Sequence, residues 1–353
     1  MKLFHRSATP ETCTVRVTNA DFSFEVPRRR LLLGAALEQD VAYPHNCRVG
    51  TCGSCKTRLT CGRIRPLIDF ALSPLTAQEL KDGYILACQS KVLSDIEVEV
   101  PIGRGGGIAV QHVGGVIASA ERAGNDVIDL RLRLDTPFRF QPGQWASIGA
   151  RASEVRRAYS FHTPAPPEGT TEVGFYIKKL SGGAFSEWLF AADRTGVEME
   201  LKGPFGILGD HDESGHNVCV AGSTGLAPII CMVEDALAAS ATSRFTVVFG
   251  VRREQDLFAT DRLSALAARH PGRLRVVPIL SHEPQDTAWT GARGLVTEAL
   301  DEDLGAAHAF LCGNAPMVDA CERRLLGLGL DRERIHADRF VPTGATVANV
   351  TAA

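Results

Sequence analysis

No stretch of the sequence approaches the roughly 20 apolar residues that a membrane-spanning helix needs. The segment Met1–Pro10 has no apolar run of signal-peptide length. Charges of one sign form no long run, and a net charge of −3 gives no electrostatic reason to expect a nucleic-acid partner. We therefore expect a cytoplasmic protein with reduced thiols that does not itself span a membrane.

The sequence has too few cysteines for a secreted disulfide scaffold. Ten cysteines would suit such a scaffold only in a much shorter chain than 353 residues. Four of them match the C-x4-C-x2-C spacing, with a distant fourth cysteine, of a plant-type [2Fe–2S] cluster. Gly50 and Gly53 give the loop the backbone freedom to wrap around such a cluster. Zinc usually takes paired C-x2-C units, and only one is present. The predicted metal ligands are Cys47, Cys52, Cys55 and Cys88.

The fourth ligand has an alternative, because Cys61 could replace Cys88. Cys61 lies six residues after Cys55 in Leu59–Arg63, a segment that reads as a hairpin turn. We prefer Cys88, whose distance from the other three is typical of the plant-type spacing. Two further cysteines are predicted to be small buried residues, Cys13 and Cys231.

Three blocks follow one another along the chain. The first opens with alternating apolar runs at 13–17 and 22–26, which predict a β-hairpin, and continues with a short helix at 31–39 and a strand at 96–100. A Gly-rich linker follows, and three consecutive glycines make it the clearest boundary in the chain. The predicted segments are 1–101, the linker 102–109, a second block 110–209, a third block 210–342 and a flexible tail 343–353.

The second and third blocks differ in their patterns. The second contains short strands at 127–134, 145–148 and 173–177, which favours a small β-barrel. The third alternates helical stretches such as 228–239 with buried strands at 218–221, 245–249, 274–280 and 309–311. Such alternation predicts a parallel sheet in an α/β domain.

A flavin site is suggested by Arg157-Ala158-Tyr159-Ser160 in the second block. Tyrosine offers an aromatic face, arginine a cation for a pyrophosphate, and serine a hydrogen bond near the flavin N5. Any barrel strand could contain this tetrapeptide. The turn Gly182-Gly183-Ala184-Phe185-Ser186 then opens a helix, where N–H groups favour a phosphate, although a simple loop with serine as helix cap fits as well. Lys178 is either a phosphate ligand or a solvated charge.

A nicotinamide site is suggested by two strand ends in the third block. Ala221–Pro228 follows a buried strand and opens a helix, as a dinucleotide-binding turn does, although the G-x-G-x-x-G fingerprint is absent. Cys312–Met317 also follows a strand, and ligands bind at such ends in open parallel sheets. The Cys312 thiol could touch the nicotinamide, and Gly313 allows close approach. The alternatives are a generic turn and a packed core thiol; no histidine is convincingly placed to make Cys312 a nucleophile.

The choice of coenzyme depends on Gly250-Val251-Arg252-Arg253-Glu254, which follows the predicted strand 245–249. The two arginines could bind the 2′-phosphate of NADPH, whereas a nearby acid opposes it. Glu254, together with the resemblance described next, favours NADH.

The order of these motifs resembles the reductase components of bacterial aromatic-ring and methyl-group oxygenases, above all the electron-transfer components of xylene and p-cymene monooxygenases. The resemblance covers essentially the whole chain and is carried by Tyr43–Gly50, Val218–Pro228 and Ala337-Asp338-Arg339-Phe340. It implies membership of the ferredoxin–NADP-reductase superfamily. The implied fold is a β-grasp-like ferredoxin domain, a Greek-key β-barrel FAD domain and a parallel α/β nicotinamide-binding domain.

The resemblance also implies roles for individual residues. Arg157, Tyr159 and Ser160 would hold FAD, and Cys312 would lie near the reactive carbon of the nicotinamide. Ser160, Cys312 and Phe340 are predicted to take part in hydride transfer. The chain departs from the family by continuing thirteen residues past Phe340. The predicted cofactor-binding residues are Arg157, Ala158, Tyr159, Ser160, Tyr176, Ile177, Lys178, Gly182, Gly183, Ser186, Thr224, Gly225, Pro228, Gly250, Arg252, Cys312, Gly313, Met317 and Phe340.

The implied function is an electron relay. NADH would give a hydride to FAD, single electrons would pass to the [2Fe–2S] cluster, and the cluster would reduce an oxygenase component or its ferredoxin. One alternative is a reductase that acts directly on a small molecule, as in deoxysugar-type metabolism. Another is a redox-binding subunit of a larger complex. The pairs Cys312-Gly313 and Thr224-Gly225 argue against this alternative, because such a subunit need not bind nicotinamide.

Overall fold

The chain divides into two compact units, Met1–Ala109 and Val110–Ala353. Three predicted features lie outside the described residues: the ligands Cys47 and Cys52, most of the Gly-rich linker, and the tail after Phe340. The computed structural model of the protein describes residues 11–20, 22–39, 41, 43–45, 50, 53–100, 108–206, 208, 215–239, 242–301 and 308–340.

The first unit is built on a five-stranded sheet in the order β2-β1-β7-β3-β5, with a separate pair β4-β6. Its β1 and β2 pair antiparallel, which confirms the predicted hairpin. Cys13, Val15 and Val17 alternate into the core, as the period of a strand requires. The elements are β1 (Thr12–Val17), β2 (Phe22–Pro27), α1 (Leu32–Glu38), β3 (Lys56–Cys61), β4 (Ile64–Pro66), α2 (Ala77–Lys81), β5 (Tyr84–Leu86), β6 (Ser90–Val92) and β7 (Ile96–Glu99).

The predicted hairpin turn around Cys61 is wrong. The chain does turn at Gly62, whose φ is +93°, but the strands on either side do not pair with each other. Instead β3 pairs with β5 and β7, whereas β4 pairs with β6. The turn is held against β7, because a side chain at Gly62 would come within 2.2 Å of the Asp95 carbonyl oxygen.

The second unit begins with a six-stranded antiparallel sheet in the order β11-β10-β13-β8-β9-β12. A bridge between Phe161 and Phe175 joins the chain after β11 to β12, so the two ends of the sheet meet. Phe140 and Phe161 stack inside it with ring centroids 3.9 Å apart. The elements are β8 (Gln111–Arg122), β9 (Val127–Phe138), β10 (Trp145–Ala150), β11 (Arg157–Ser160), β12 (Thr170–Lys178), α3 (Ala184–Ala191) and β13 (Glu198–Phe205).

The rest of this unit is a parallel sheet in the order β17-β16-β15-β14-β18-β19. The order of connection reverses at β14, which lies between β15 and β18, and ligands bind at the carboxyl ends of strands at such a point. The elements are β14 (His216–Gly222), α4 (Leu226–Ala239), β15 (Arg244–Val251), α5 (Thr260–Arg269), β16 (Leu274–Leu280), β17 (Ala292–Arg293), β18 (His308–Asn314), α6 (Ala315–Gly327) and β19 (Ile335–Phe340).

The strands predicted for the second and third blocks are all present; 274–280 has the predicted bounds, and the others extend further at one or both ends, by one to four residues. Their apolar runs were long enough to identify, whereas their ends depend on pairing with neighbouring strands. No helix in the described part of the chain is long and apolar enough to cross a membrane.

Candidate functional site

Two of the predicted cluster ligands meet at one end of the first unit's sheet. Lys56 of β3 pairs with Leu86 of β5, so the residues beside that pair, Cys55 and Cys88, come together. Cys55 is 3% and Cys88 2% exposed, and the Cys88 N–H lies 3.5 Å from the Cys55 Sγ. An N–H group aimed at a sulfur is the contact that stabilises a cluster thiolate.

The glycines of the cluster loop have the backbone geometry that the prediction requires. Gly50 and Gly53 have φ of +87° and +74°, where residues with a Cβ are rarely found. A Cβ on Gly50 would come within 2.9 Å of Gln89 and Ile68, so the loop lies close against the segment around Cys88. Cys61, by contrast, is exposed at the far end of β3, about 20 Å along the strand from Cys55. The described residues therefore fit a [2Fe–2S] cluster with Cys88 as a ligand.

The predicted flavin residues lie on the end strands of the antiparallel sheet. Tyr159 on β11 packs against Phe185 of α3, with ring centroids 5.6 Å apart, and burial raises the pKa of its hydroxyl, which therefore stays neutral. Arg157 points to the same side as Tyr159, because alternate residues of a strand share a face. Ser160 is buried and Ala158 exposed.

The Gly-rich turn before α3 already uses some of its polar groups. Gly183 is the N-cap, and the Ser186 hydroxyl accepts a hydrogen bond from the Leu180 N–H at 3.1 Å. The Gly182 N–H donates to the Glu187 carboxylate at 2.7 Å. A phosphate at this helix end would therefore have to share its donors with Glu187. The space around Gly182 is open, since no atom lies within 4 Å of where its Cβ would stand.

Strand β12 leads from the flavin residues to the predicted nicotinamide turn. Ile177 is buried, and Lys178 forms an ion pair with Asp126 at 3.0 Å. The Lys178 ammonium also donates to the Ser223 hydroxyl at 3.3 Å. Ser223 begins the 3-10 turn Ser223–Gly225 with φ of +51°, directly after β14. The two predicted sites are therefore adjacent in the second unit.

Glycines let the backbone that follows β14 pack closely against the end of β18. A Cβ on Gly225 would lie 2.2 Å from the Cys312 carbonyl oxygen, and one on Gly313 would lie 3.2 Å from the Gly222 Cα. Gly313 has φ of +151°, near the limit of what other residues adopt. Met317 packs against the same contact, with its Sδ 2.5 Å from a Cβ built on Gly222. Such close backbone approach suits a flat nicotinamide ring.

Cys312 directly precedes Gly313 in β18 and is 0% exposed. Burial raises its pKa well above the ordinary value, and nearby Asp338 adds to that effect. The thiol is therefore neutral, which agrees with the expectation that it is not a nucleophile.

The remaining predicted residues surround the same edge of the parallel sheet. Thr224 and Phe340 are half-buried, Pro228 is buried in α4, and Arg252 is exposed. Gly250 at the end of β15 approaches Val296, whose Cγ1 would be 2.3 Å from an added Cβ.

A polar network that the sequence did not reveal connects the antiparallel sheet to the parallel one. The His162 ring stacks on Tyr176 at 4.0 Å, and its Nε2 lies 2.8 Å from the Asp129 carboxylate. Arg262 of α5 approaches from the other side, donating to His162 Nδ1 at 3.0 Å and to its carbonyl oxygen at 2.8 Å. The same guanidinium binds the Glu234 carboxylate of α4 at 2.6 Å. We call Asp129, His162, Arg262 and Glu234 the junction network.

The hydrogen bonds assign the protonation state of His162. Because Arg262 can only donate, Nδ1 accepts and Nε2 carries the proton that goes to Asp129. Burial lowers the pKa of His162, and the hydrogen bonds from His162 and Arg131 lower the pKa of Asp129 against the effect of its own burial. His162 is therefore neutral and Asp129 ionised near neutral pH. The only local signal was a histidine two residues after Ser160, because Arg262 is 100 residues away in sequence.

Three stretches of the chain match known domain families. Residues 15–93 match the 2Fe-2S iron-sulfur cluster binding domain, and residues 115–209 the oxidoreductase FAD-binding domain. Residues 219–323 match the oxidoreductase NAD-binding domain. The chain therefore has domains for a [2Fe–2S] cluster, FAD and NAD.

Similar proteins match over almost the whole chain. The xylene/toluene monooxygenase electron transfer component of Pseudomonas putida is 38% identical over 94% of each chain. The reductase component of the naphthalene 1,2-dioxygenase system of Pseudomonas putida is 34% identical over 89% of this chain and 94% of its own. The crystal structure of an Amycolatopsis cytochrome P450 reductase matches with a TM-score of 0.72 and 30% identity, over 94% of this chain and 99% of that one. This likeness shows a ferredoxin-reductase fold with a β-rich FAD domain.

The cluster ligand set predicts opposite results for two cysteine variants. Cys88→Ser removes a thiolate that faces Cys55, so we expect it to lose the visible absorption and electron paramagnetic resonance signal of the cluster. Cys61→Ser changes an exposed residue at the other end of β3 and should keep both signals. The reverse pattern would show that Cys61 is the ligand.

The junction network predicts how the stability of the second unit depends on pH. The folded-state pKa of His162 is below its ordinary value of about 6.5, so the unfolded chain binds a proton that the folded chain lacks. The free energy of unfolding should therefore fall as the pH decreases below about 6.5. His162→Gln keeps a donor for Asp129 without titrating and should show a smaller fall, measured by denaturation of the FAD-loaded protein at pH 7 and pH 5. Equal falls in the two proteins would contradict this role.

Proposed function

We infer that the electron acceptor of this chain is an oxygenase component or a ferredoxin that serves one. The chain belongs to the iron–sulfur flavoprotein reductases that serve as electron-transfer components of aromatic oxygenases. The chain is an NAD(P)H-dependent oxidoreductase, in which electrons pass from NADH through FAD to the [2Fe–2S] cluster. The proposal of an oxygenase partner is supported by relatives from xylene/toluene, naphthalene and phenol oxygenase systems.

The proposed roles of the site residues are those that the resemblance implies, and the positions of these residues support them. Bound FAD accepts a hydride and releases electrons singly. Tyr159 gives the flavin an aromatic face, Arg157 a cation, and Ser160 a hydrogen bond at the reacting edge of the ring. Cys312 is a neutral, buried thiol next to the contact between Gly222 and Gly313, where it would support the nicotinamide. Phe340, opposite Asn314 at the end of β19, would cover the flavin ring.

The observation that supports hydride transfer from NADH to FAD in this chain is the contact between Lys178 and Ser223. It joins the end of a flavin strand to the turn proposed for the nicotinamide nucleotide, at 3.3 Å. Hydride transfer needs the two rings within about 3.5 Å of each other, so two separate cofactor sites have to be neighbours.

The finer description of the fold belongs to the same proposal. The sheet order of the first unit supports a β-grasp-like domain, and the return of β13 to lie between β10 and β8 supports a Greek-key connection. The proposed segments are 1–101 for the cluster, 110–209 for FAD and 210–342 for NAD. Reduced thiols and a cytoplasmic location are also part of it, supported by the lack of a disulfide among the cysteines in the described part of the chain.

NADH is the proposed coenzyme because of two carboxylates near the end of β15. The Glu283 carboxylate accepts a hydrogen bond from the Glu254 N–H at 2.9 Å. Both residues line a cleft with Arg253, Gln255, Pro284 and Thr287. At this strand end a parallel sheet holds the adenosine ribose, and a carboxylate there binds a 2′-hydroxyl and repels a 2′-phosphate.

We therefore expect a higher kcat/KM with NADH than with NADPH. Glu283→Gln should raise kcat/KM for NADPH roughly 3- to 10-fold, because it removes one like-charge repulsion at a half-exposed site. Asp286→Asn neutralises an exposed carboxylate outside the cleft lining and should leave the coenzyme preference unchanged. A wild-type preference for NADPH would contradict the proposal.

The two-unit organisation predicts the behaviour of a flavin module made of residues 108–353. It should keep FAD and oxidise NADH with ferricyanide, a small acceptor that reaches the flavin directly. It should reduce cytochrome c poorly, because a protein acceptor draws on the cluster. Adding the separate fragment 1–101 at low concentration should restore little, because the linker supplies a high effective concentration.

Two results would contradict this prediction. A truncated module that reduces cytochrome c at the intact rate would show that the cluster is not the exit for electrons. A truncated module that cannot hold FAD would show that the proposed domain boundary is wrong.

A further inference from the structure

We propose that a cationic surface beside the cluster, formed by Arg29, Arg63, Arg65 and Lys91, is the docking surface for an electron acceptor with an acidic protein surface. We call these four residues the basic face. The proposal rests on the proposed function, in which the cluster delivers electrons to another protein, and it names the chemistry of that partner.

The basic face is built on the small sheet of β4 and β6. Arg65 and Lys91 are directly opposite each other in this antiparallel pair, so their side chains lie on the same side. Their neighbours Ile64 and Val92 contact the core of the unit on the other side. Because successive residues of a strand alternate, Arg65 and Lys91 point outward.

Two further arginines border this pair. Arg63 precedes β4, and its carbonyl oxygen accepts a hydrogen bond from the Leu93 N–H at 3.0 Å. On the other side of β6, the Arg29 N–H donates to the Val92 carbonyl oxygen at 2.7 Å. Arg29, Arg63 and Arg65 are exposed, and Lys91 is half-buried.

The four cations differ from most others of the first unit in having no carboxylate partner within the described residues. Arg16, Arg30, Lys56 and Arg58 each form an ion pair, with Glu97, Glu38, Glu79 and Glu99 respectively. Uncompensated charges gathered on one surface repel one another, and they create a field that attracts an oppositely charged partner.

The backbone at Arg29 gives a second, independent observation. Arg29 has φ of +68°, in the left-handed region where glycine is favoured and other residues are strained by about 1 kcal/mol. Strain of this kind clusters at functional sites, which supports a role for the Arg29 side chain. Arg29→Gly should therefore not destabilise the fold, so a loss of electron transfer in that variant would be a loss of the side chain itself.

The basic face lies next to the cluster ligands. The small sheet ends where Pro66 pairs with Ser90, two residues after Cys88. The next residue, Leu67, donates its N–H to the Gln89 carbonyl oxygen at 2.8 Å, and its side chain is 49% exposed. An exposed apolar residue at a redox centre, with charges around it, is typical of a transient protein interface.

An acidic protein fits this surface better than the other anionic partners. Nucleic-acid binding usually needs a basic domain, and this chain has a net charge of −3. A membrane surface would attract the four cations but would offer the cluster no electron acceptor. The flavin unit of the same chain is the remaining candidate, and the experiment separates it from an external partner.

The experiment uses the full-length, cofactor-loaded protein and two haem proteins of opposite charge. Arg65→Gln/Lys91→Gln should lower kcat/KM for acidic cytochrome b5 about fivefold at about 0.01 M ionic strength, and less than twofold at about 0.5 M salt. The rate with basic cytochrome c should stay equal or rise. Arg29→Gly should lower the cytochrome b5 rate without lowering the thermal midpoint.

A matched control variant and the rate of cluster reduction by NADH complete the test. Arg16→Gln/Lys81→Gln removes the same charge from exposed positions outside the small sheet and should change the cytochrome b5 rate less than twofold. Reduction of the cluster by NADH, followed by stopped flow, should be the same in all variants. If the wild-type cluster were not reduced by NADH at all, the proposed function would fail rather than the basic face.

Four results would overturn the inference. An unchanged cytochrome b5 rate would remove the basic face as a docking surface, and equal losses in both double variants would show only an effect of total charge. Slower reduction of the cluster would show that this surface receives the flavin unit of the chain. Binding to phosphatidylserine vesicles that is lost in the variant, with unchanged cytochrome b5 kinetics, would assign the surface to a membrane.

Discussion

Arg262 joins the two halves of the second unit through a single guanidinium group. It binds Glu234 on α4 and, across the junction, both the ring and the carbonyl oxygen of His162. A largely buried cation is stable only with its carboxylate partner, since breaking such a pair costs about 3–5 kcal/mol. The network therefore favours one relative placement of the antiparallel and the parallel sheet. Hydride transfer depends on that placement, because a misplacement of about 1 Å lowers its rate roughly 100-fold.

Close backbone contacts likewise set the shape of the proposed nicotinamide site. Gly225 touches the Cys312 carbonyl group, and Gly313 touches Gly222, so neither position has room for a side chain. The surface at this strand end therefore consists of backbone and of Met317. A flat ring can approach such a surface closely, and the neutral thiol of Cys312 beneath it adds no charge to repel or attract the nicotinamide.

The first unit contains both paired and unpaired cations on its surface. Arg16 and Arg58 on the main sheet, and Arg30 just before α1, pair with glutamates, whereas the cations of the basic face beside Cys88 have no carboxylate partner within the described residues. Surface ion pairs contribute little to stability, so leaving Arg65 and Lys91 unpaired has a small energetic cost. A field from unpaired cations acts over about 10 Å and so influences the rate at which a partner arrives.

The sequence by itself determined the cofactors, the order of the domains and the type of most strands, because cysteine spacing, apolar periodicity and Gly-rich turns are local properties of the chain. It also favoured Cys88 over Cys61 from spacing alone, and the contact between Cys88 and Cys55 agrees with that choice. It did not show that β3 and β4 belong to different sheets, since pairing depends on strands distant in the chain. The junction network and the basic face were decided only by the tertiary structure. His162 meets Arg262 from 100 residues away, and Arg29 joins the basic face only because its N–H bonds the Val92 carbonyl oxygen of β6. Folding thus brings together residues that no sequence pattern links.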